Sequence, residues 1–140
     1  MNESIARFGS GLSFLGRLLL AYMFVTSGWS KITSYAATSQ YMDAHGVPAS
    51  LLPLVIAVEL GGGLLIAFGI LTRLTALIMA AFTLATAVFF HADFADPAQL
   101  INFNKNLTIA GGFLVLAAFG PGRWSVDDWH RLRVEARLGL

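Results

Sequence analysis

The sequence predicts an all-α integral membrane protein. It reads as an antiparallel four-helix bundle with both chain ends cytoplasmic, a short helix on the outer face and an interfacial helix at the carboxyl end. Three observations predict it. Hydrophobic residues make up 56% of the 140 positions and charged residues 12%, against about 45–50% and about 25% in soluble domains. A soluble fold of this size has no core large enough for that much apolar surface, so the surplus faces lipid. Four apolar stretches lie at about residues 12–30, 51–71, 74–91 and 103–119, each approaching the ~17–25 residues that cross a ~30 Å hydrocarbon layer as a helix. Lysine and arginine, finally, are unevenly distributed. Arg7, Arg17, Arg73, Arg123, Arg131, Arg133 and Arg137 share the side of the amino end, the second–third turn and the carboxyl end, while only Lys31 and Lys105 lie opposite. The positive-inside rule then places both termini in the cytoplasm.

The elements follow in order. The first span has Arg7 and Arg17 near its start and Ser34-Tyr35-Ala36 behind it, which loosely resembles a signal-peptide cleavage site; a retained span is the preferred reading. Thr33–Ser50 is polar with Tyr35, Tyr41 and Met42 interspersed. It reads as a short outer-face helix over the bundle mouth, stopped at Gly46 and barred from continuing by Pro48. The second and third spans meet at Thr72-Arg73, a turn so short that they are antiparallel neighbours. Gly120-Pro121-Gly122 ends the fourth span, dividing a bundle over residues 1–122 from a cytoplasmic amphipathic tail over 123–140. In that tail Ser125 and Asp128 resemble a capping box. The helix they open gathers Val126, Trp129, Leu132 and Ala136 near one face, suited to the inner leaflet, with arginines elsewhere.

Several function classes drop out. A net charge of +1 offers no basic field for nucleic acid. With no cysteine, disulfides, iron–sulfur clusters and thiol catalysis are excluded. Three histidines remain, with His45 in a loop and His130 across the membrane from His91, so neither a bis-histidine haem nor a metal site finds a convincing ligand set.

Glu59 is the most informative residue. It lies eight positions beyond Leu51, about 12 Å into a helix that rises about 1.5 Å per residue. A charge at mid-membrane costs roughly 2.5–3.5 kcal/mol or more, so this carboxyl is neutral, paired or facing a wet cavity. An interhelical hydrogen bond without chemistry is the alternative to a functional acid. Lys31, His91, Asn102, Lys105 and Asn106 all fall at span ends in the same outer half. A pocket among the four helices, with Glu59 below and Lys31, His91 and Lys105 above, is geometrically natural. Snorkelling lysines are the competing explanation. Gly62 and Gly63, at i+3 and i+4 from Glu59, leave room for a partner helix or a flat ligand, the partner helix being favoured.

These residues resemble the DoxX family of small bacterial membrane proteins. The matching pieces are Phe24-x-x-x-Gly28-x-x-Lys31, Gly46-x-Pro48, Glu59-x-x-Gly62-Gly63 and Gly69-x-x-Thr72-Arg73. Asn102-x-x-Lys105-Asn106, Gly111-Gly112, Gly120-Pro121-Gly122 and Ser125-x-Asp127 follow in order. The likeness runs from Phe14 to Trp129. It implies a four-span bacterial inner-membrane protein associated with membrane oxidoreductase complexes or quinone-stress responses. Since the chain has no cysteine to carry a sulfur intermediate, an independent thiosulfate-oxidising activity does not follow.

Three functional readings stand in order of preference. The first is a quinone-interacting subunit of an oxidoreductase system, with soluble oxidoreductase partners, a bound quinone as the candidate cofactor, Glu59 as proton relay, and His91 and Lys105 contacting the carbonyls. The second is a proton-coupled small-molecule carrier working as a homo-oligomer, against which the two lysines count for any cationic substrate. The third is a non-catalytic membrane anchor for partner enzymes.

Overall fold

The computed structural model describes residues 3–139; residues 1–2 and 140, the outer limits of the two expected segments, lie outside it. Among the described residues the chain is helical with no strands. We label α1 (Glu3–Thr33), α2 (Tyr35–Ala44), α3 (Ala49–Phe68), α4 (Thr72–His91), α5 (Pro97–Phe119) and α6 (Val126–Leu138). Of these, α1, α3, α4 and α5 are long and apolar enough to cross a membrane.

Boundaries depart from the hydropathy reading where local chemistry decides them. Helix α1 starts at Glu3, ahead of the apolar stretch. Helix α3 stops at Phe68 because Gly69 turns left-handed at φ +69°, and Leu71 follows at φ +46°. Helix α5 starts at Pro97, where a missing N–H costs nothing, under a cap in which Asp96 accepts from the Ala98 N–H at 2.8 Å. Helix α2 ends at Ala44, and Gly46 takes φ +73° ahead of Pro48.

The core is built mainly from small side chains. Ala21, Ala76, Ala80 and Ala110 let the helices approach, while Ile66, Met79 and the tilted pair Phe24–Phe113 (centroids 5.4 Å apart) fill the remaining space. Close packing of small residues is what holds helices together in lipid, where burial alone gives no gain. Glycines carry the tightest crossings. A Cβ on Gly28 would stand 2.9 Å from the Leu60 backbone nitrogen, and one on Gly63 2.9 Å from Val25 Cγ2. The outer flanks remain apolar, with Leu19, Leu54, Val88, Val115 and Phe119 exposed.

One end of the bundle is sewn together by charged side chains that cap helices other than their own. Arg17, only 1% exposed, donates from one nitrogen to the Ile66 and Ala67 carbonyls at 3.1 and 3.0 Å, and from the other to the Trp124 carbonyl. It therefore closes the carboxyl end of α3. Asp127 closes the amino end of α4, its two oxygens accepting from the Leu71 and Thr72 N–H groups, each at 2.8 Å. Arg73 closes α5, donating to the Ala117 and Ala118 carbonyls at 2.9 and 2.6 Å. Each sign matches the helix end it meets. Each also satisfies backbone groups that a helix end leaves without an intrahelical partner. Gly69 is glycine for a second reason: a Cβ there would run into the Arg17 guanidinium and Ser125.

This network ties Trp124 and Asp127, both beyond Gly122, to the bundle. Half of the capping box forms: Ser125 Oγ accepts from the Asp128 N–H at 3.2 Å, but the Asp128 carboxylate turns to Arg131 at 2.5 Å. That bond and a second, donated by Arg131 to Glu135, hold the guanidinium above its ordinary pKa.

Candidate functional site

The opposite end of the bundle holds the buried acid. Residues Ala57–Gly61 of α3 form a π turn, with Glu59 at its centre and only 6% exposed. Such turns insert an extra residue into an α-helix and often mark functional sites. Across from it, Lys31 in the last turn of α1 places Nζ 2.8 Å from Glu59 Oε2 and 3.1 Å from Oε1. The ammonium is aligned to donate only to Oε1, so Oε2 is a buried acceptor without a hydrogen-bond donor. A second bond from Nζ goes to Ser27 Oγ, 2.8 Å away on the same helix face.

The pair forms part of the wall of a cavity of ≈ 300 Å³. Its lining is largely apolar and aromatic, with Phe24, Phe82, Phe89 and Phe90 among the contributors. Polar groups enter at defined points. Asn106, 7% exposed, donates to Thr86 Oγ1 at 3.3 Å, and Thr86 donates in turn to the Thr83 carbonyl at 2.9 Å. Helix α2 covers the mouth: Thr38, Tyr41 and Met42 line the cavity, and the Tyr41 ring stacks on Phe90 at 5.6 Å. A second, more open hollow shares Ser27, Lys31, Thr38 and Tyr41 with this cavity and adds Ser30 and Ala37.

Of the residues singled out from sequence, Glu59, Lys31, His91 and Asn106 line this cavity. His91 ends α4, and its Nδ1 lies 2.7 Å from Gln99 Oε1. A carbonyl oxygen can only accept, so in this contact the Nδ1–H is the donor. Asn102 and Lys105 are not among the lining residues, and Lys105 is exposed. The reason is angular: Asn106 faces inward, and its neighbour Lys105 lies about 100° away around the helix.

Gly62 and Gly63 also leave the site. The π turn breaks the i+3/i+4 relation to Glu59, and both glycines face partner helices. A Cβ on Gly62 would collide with Met79 Sδ, and one on Gly63 would press on Val25 and the Ala21 carbonyl. Residues missed from sequence are Thr83, Thr86 and the phenylalanines, whose types are ordinary in any apolar span. Arg17 and Asp127 were missed as helix caps, because nothing local marks a cap supplied from a distant part of the chain.

Chemically, the arrangement offers a charge-paired carboxylate, one ammonium facing an apolar chamber, and imidazole and amide groups at its edge.

The comparisons agree with the architecture. The chain is 58% identical over 113 residues to "Inner membrane protein YqjF" of Escherichia coli (strain K12), covering 81% of this chain and 87% of the relative. It is 38% identical over 124 residues to "Inner membrane protein YphA" of the same organism, covering 83% and 88%. A shorter match, 32% identical over 68 residues and about half of each chain (49% and 51%), is to "Putative oxidoreductase CatD" of Bacillus subtilis (strain 168). No solved structure matches. With four spanning helices and relatives of this kind, the protein is a multi-pass inner-membrane protein. The DoxX family model matches residues 12–92, and the chain belongs to the DoxX family.

Proposed function

We propose that this protein is a quinone-interacting membrane subunit of an oxidoreductase system, with both termini cytoplasmic and the Glu59 cavity in the outer half of the bilayer. The observation that carries the reading is the Lys31–Glu59 pair in the wall of a covered, aromatic-lined cavity. A volume of ≈ 300 Å³ lies at the lower end of small-molecule sites and suits a single substituted ring. When a quinone takes two electrons from a partner oxidoreductase, its two carbonyl oxygens take up two protons. Lys31 is the hydrogen-bond donor to one oxygen, Glu59 relays the proton it receives, and His91 serves the opposite edge. Lys105, exposed and outside the lining, has no part in this account. The partial likeness to a protein named as an oxidoreductase points the same way.

The test is titration of the purified protein in nanodiscs with a short-tailed quinone, for the native chain and Glu59→Gln. Losing the carboxylate that holds the Lys31 ammonium in place should weaken binding about tenfold. Equal affinity in the two proteins would remove Glu59 from the site, and no saturable binding in either would remove the function.

A further inference from the structure

At the capped end of the bundle, where α3 turns into α4 and α5 stops, the surface opens into a crevice of ≈ 590 Å³. Part of its lining is apolar and exposed: Leu71, Leu74 and Phe119 are 63%, 58% and 82% exposed. Arg73, Arg123 and Arg131 also line it. Two carboxylates also line it, and both are already engaged. Asp127 accepts from two backbone N–H groups, and Asp128 is paired with Arg131. Arg131 is further shared with Glu135 at 2.9 Å. Arg73 spends one nitrogen on the Ala117 and Ala118 carbonyls, which leaves its charge unbalanced by any carboxylate. Arg123 makes no ion pair among the described residues. Three guanidinium groups against two carboxylates leave the crevice net positive, and exposed apolar side chains share its lining.

We propose that this crevice is a specific site for an anionic phospholipid of the phosphatidylglycerol type. The phosphate lies between Arg73 and Arg123, and an acyl chain runs along Leu74 and Phe119. Guanidinium forks match phosphate oxygens in geometry as well as charge. A soluble phosphate would gain nothing from the apolar lining, whereas a lipid uses both it and the arginines. Basic clefts between helices at the cytoplasmic level are where acidic headgroups bind. The proposal is independent of the quinone reading, since it involves the opposite end of the bundle.

The experiment is native mass spectrometry of the full chain released from detergent, titrated with dioleoylphosphatidylglycerol or dioleoylphosphatidylcholine. Arg123→Gln is the variant of choice because Arg123 caps no helix; an unchanged melting temperature establishes that it is folded. We expect the native chain to retain phosphatidylglycerol at least about fivefold more tightly than phosphatidylcholine, and Arg123→Gln to lose most of that preference. Equal retention of the two lipids, or a preference untouched by Arg123→Gln, overturns the proposal. Competition by inorganic phosphate at concentrations that leave phosphatidylcholine in place would overturn it in favour of a soluble-anion site.

Discussion

Lys31 Nζ stands within ion-pair distance of both oxygens of the Glu59 carboxylate, 2.8 Å from Oε2 and 3.1 Å from Oε1, but donates a hydrogen bond only to Oε1. The two side chains are unequally sheltered, 25% exposed for Lys31 and 8% for Glu59. The base is therefore more open to its surroundings than the acid. Removing the base strands a buried anion, whereas removing the acid leaves a cation that can still turn to Ser27 or to solvent.

Lys31→Met should accordingly cost more than Glu59→Gln. Breaking a buried pair costs about 3–5 kcal/mol, and the partial exposure of Lys31 reduces this to roughly 1–3 kcal/mol. Lys31→Met with Glu59→Leu should recover much of the loss, because an apolar pair of similar volume needs no desolvation. Thermal melts of the single and double variants in detergent check the order; a double variant no more stable than Lys31→Met would show that the pair is not coupled.

The glycines should divide by what their missing Cβ would meet. Gly28→Ala forces a methyl against the Leu60 backbone, which cannot swing aside, and should cost about 1–3 kcal/mol. Gly62→Ala meets the flexible end of Met79 and should cost less. Gly111→Ala meets nothing within 4 Å and should be neutral or slightly stabilising. The ranking of three melting temperatures reads this directly.

Asp127→Ala should destabilise the bundle by about 1–2 kcal/mol, since two N–H groups at the start of α4 lose their acceptor. Arg17→Lys should not be benign either, because one ammonium cannot span the Ile66, Ala67 and Trp124 carbonyls that a fork reaches. In the same vein, a chain ending at Gly122 should melt well below one ending at Leu132. Equal melting of the two truncations would contradict the cross-capped arrangement.

Tyr41→Ala removes the ring that stacks on Phe90 over the cavity mouth. If the cavity takes a quinone, both association and dissociation should quicken, with a smaller change in their ratio. Stopped-flow mixing with a short-tailed quinone measures both, and unchanged rates would mean that entry lies elsewhere.

Much of the fold was legible because lipid imposes a blunt rule. Four long apolar runs have few other uses, and Gly46-x-Pro48 and Ser125 mark helix ends by their own backbone chemistry. Glu59 stood out because a carboxyl amid apolar residues is expensive, and Lys31 because it ends a span on the same side. Lys105 was misplaced by a step that sequence alone could have corrected, since residues adjacent in a helix point in different directions. Arg17 read only as an inner-side charge near the start of the first span, because hydropathy cannot distinguish a guanidinium at a membrane surface from one that caps a neighbouring helix. The π turn was invisible: nothing in Ala57–Gly61 marks where one surplus residue is accommodated.

That surplus residue acts as a phase shifter. The half of α3 before Glu59 and the half after it are offset by about 100° from the screw that a regular helix would continue. The two halves therefore obey separate wheels, and a heptad count carried through residue 59 misassigns every position beyond it. Deleting one residue within 57–61 would restore a uniform winding and a regular ladder of backbone bonds. It would also swing either the carboxylate away from Lys31 or the glycines away from α1 and α4, so a locally better helix would come at the expense of its registration with its neighbours.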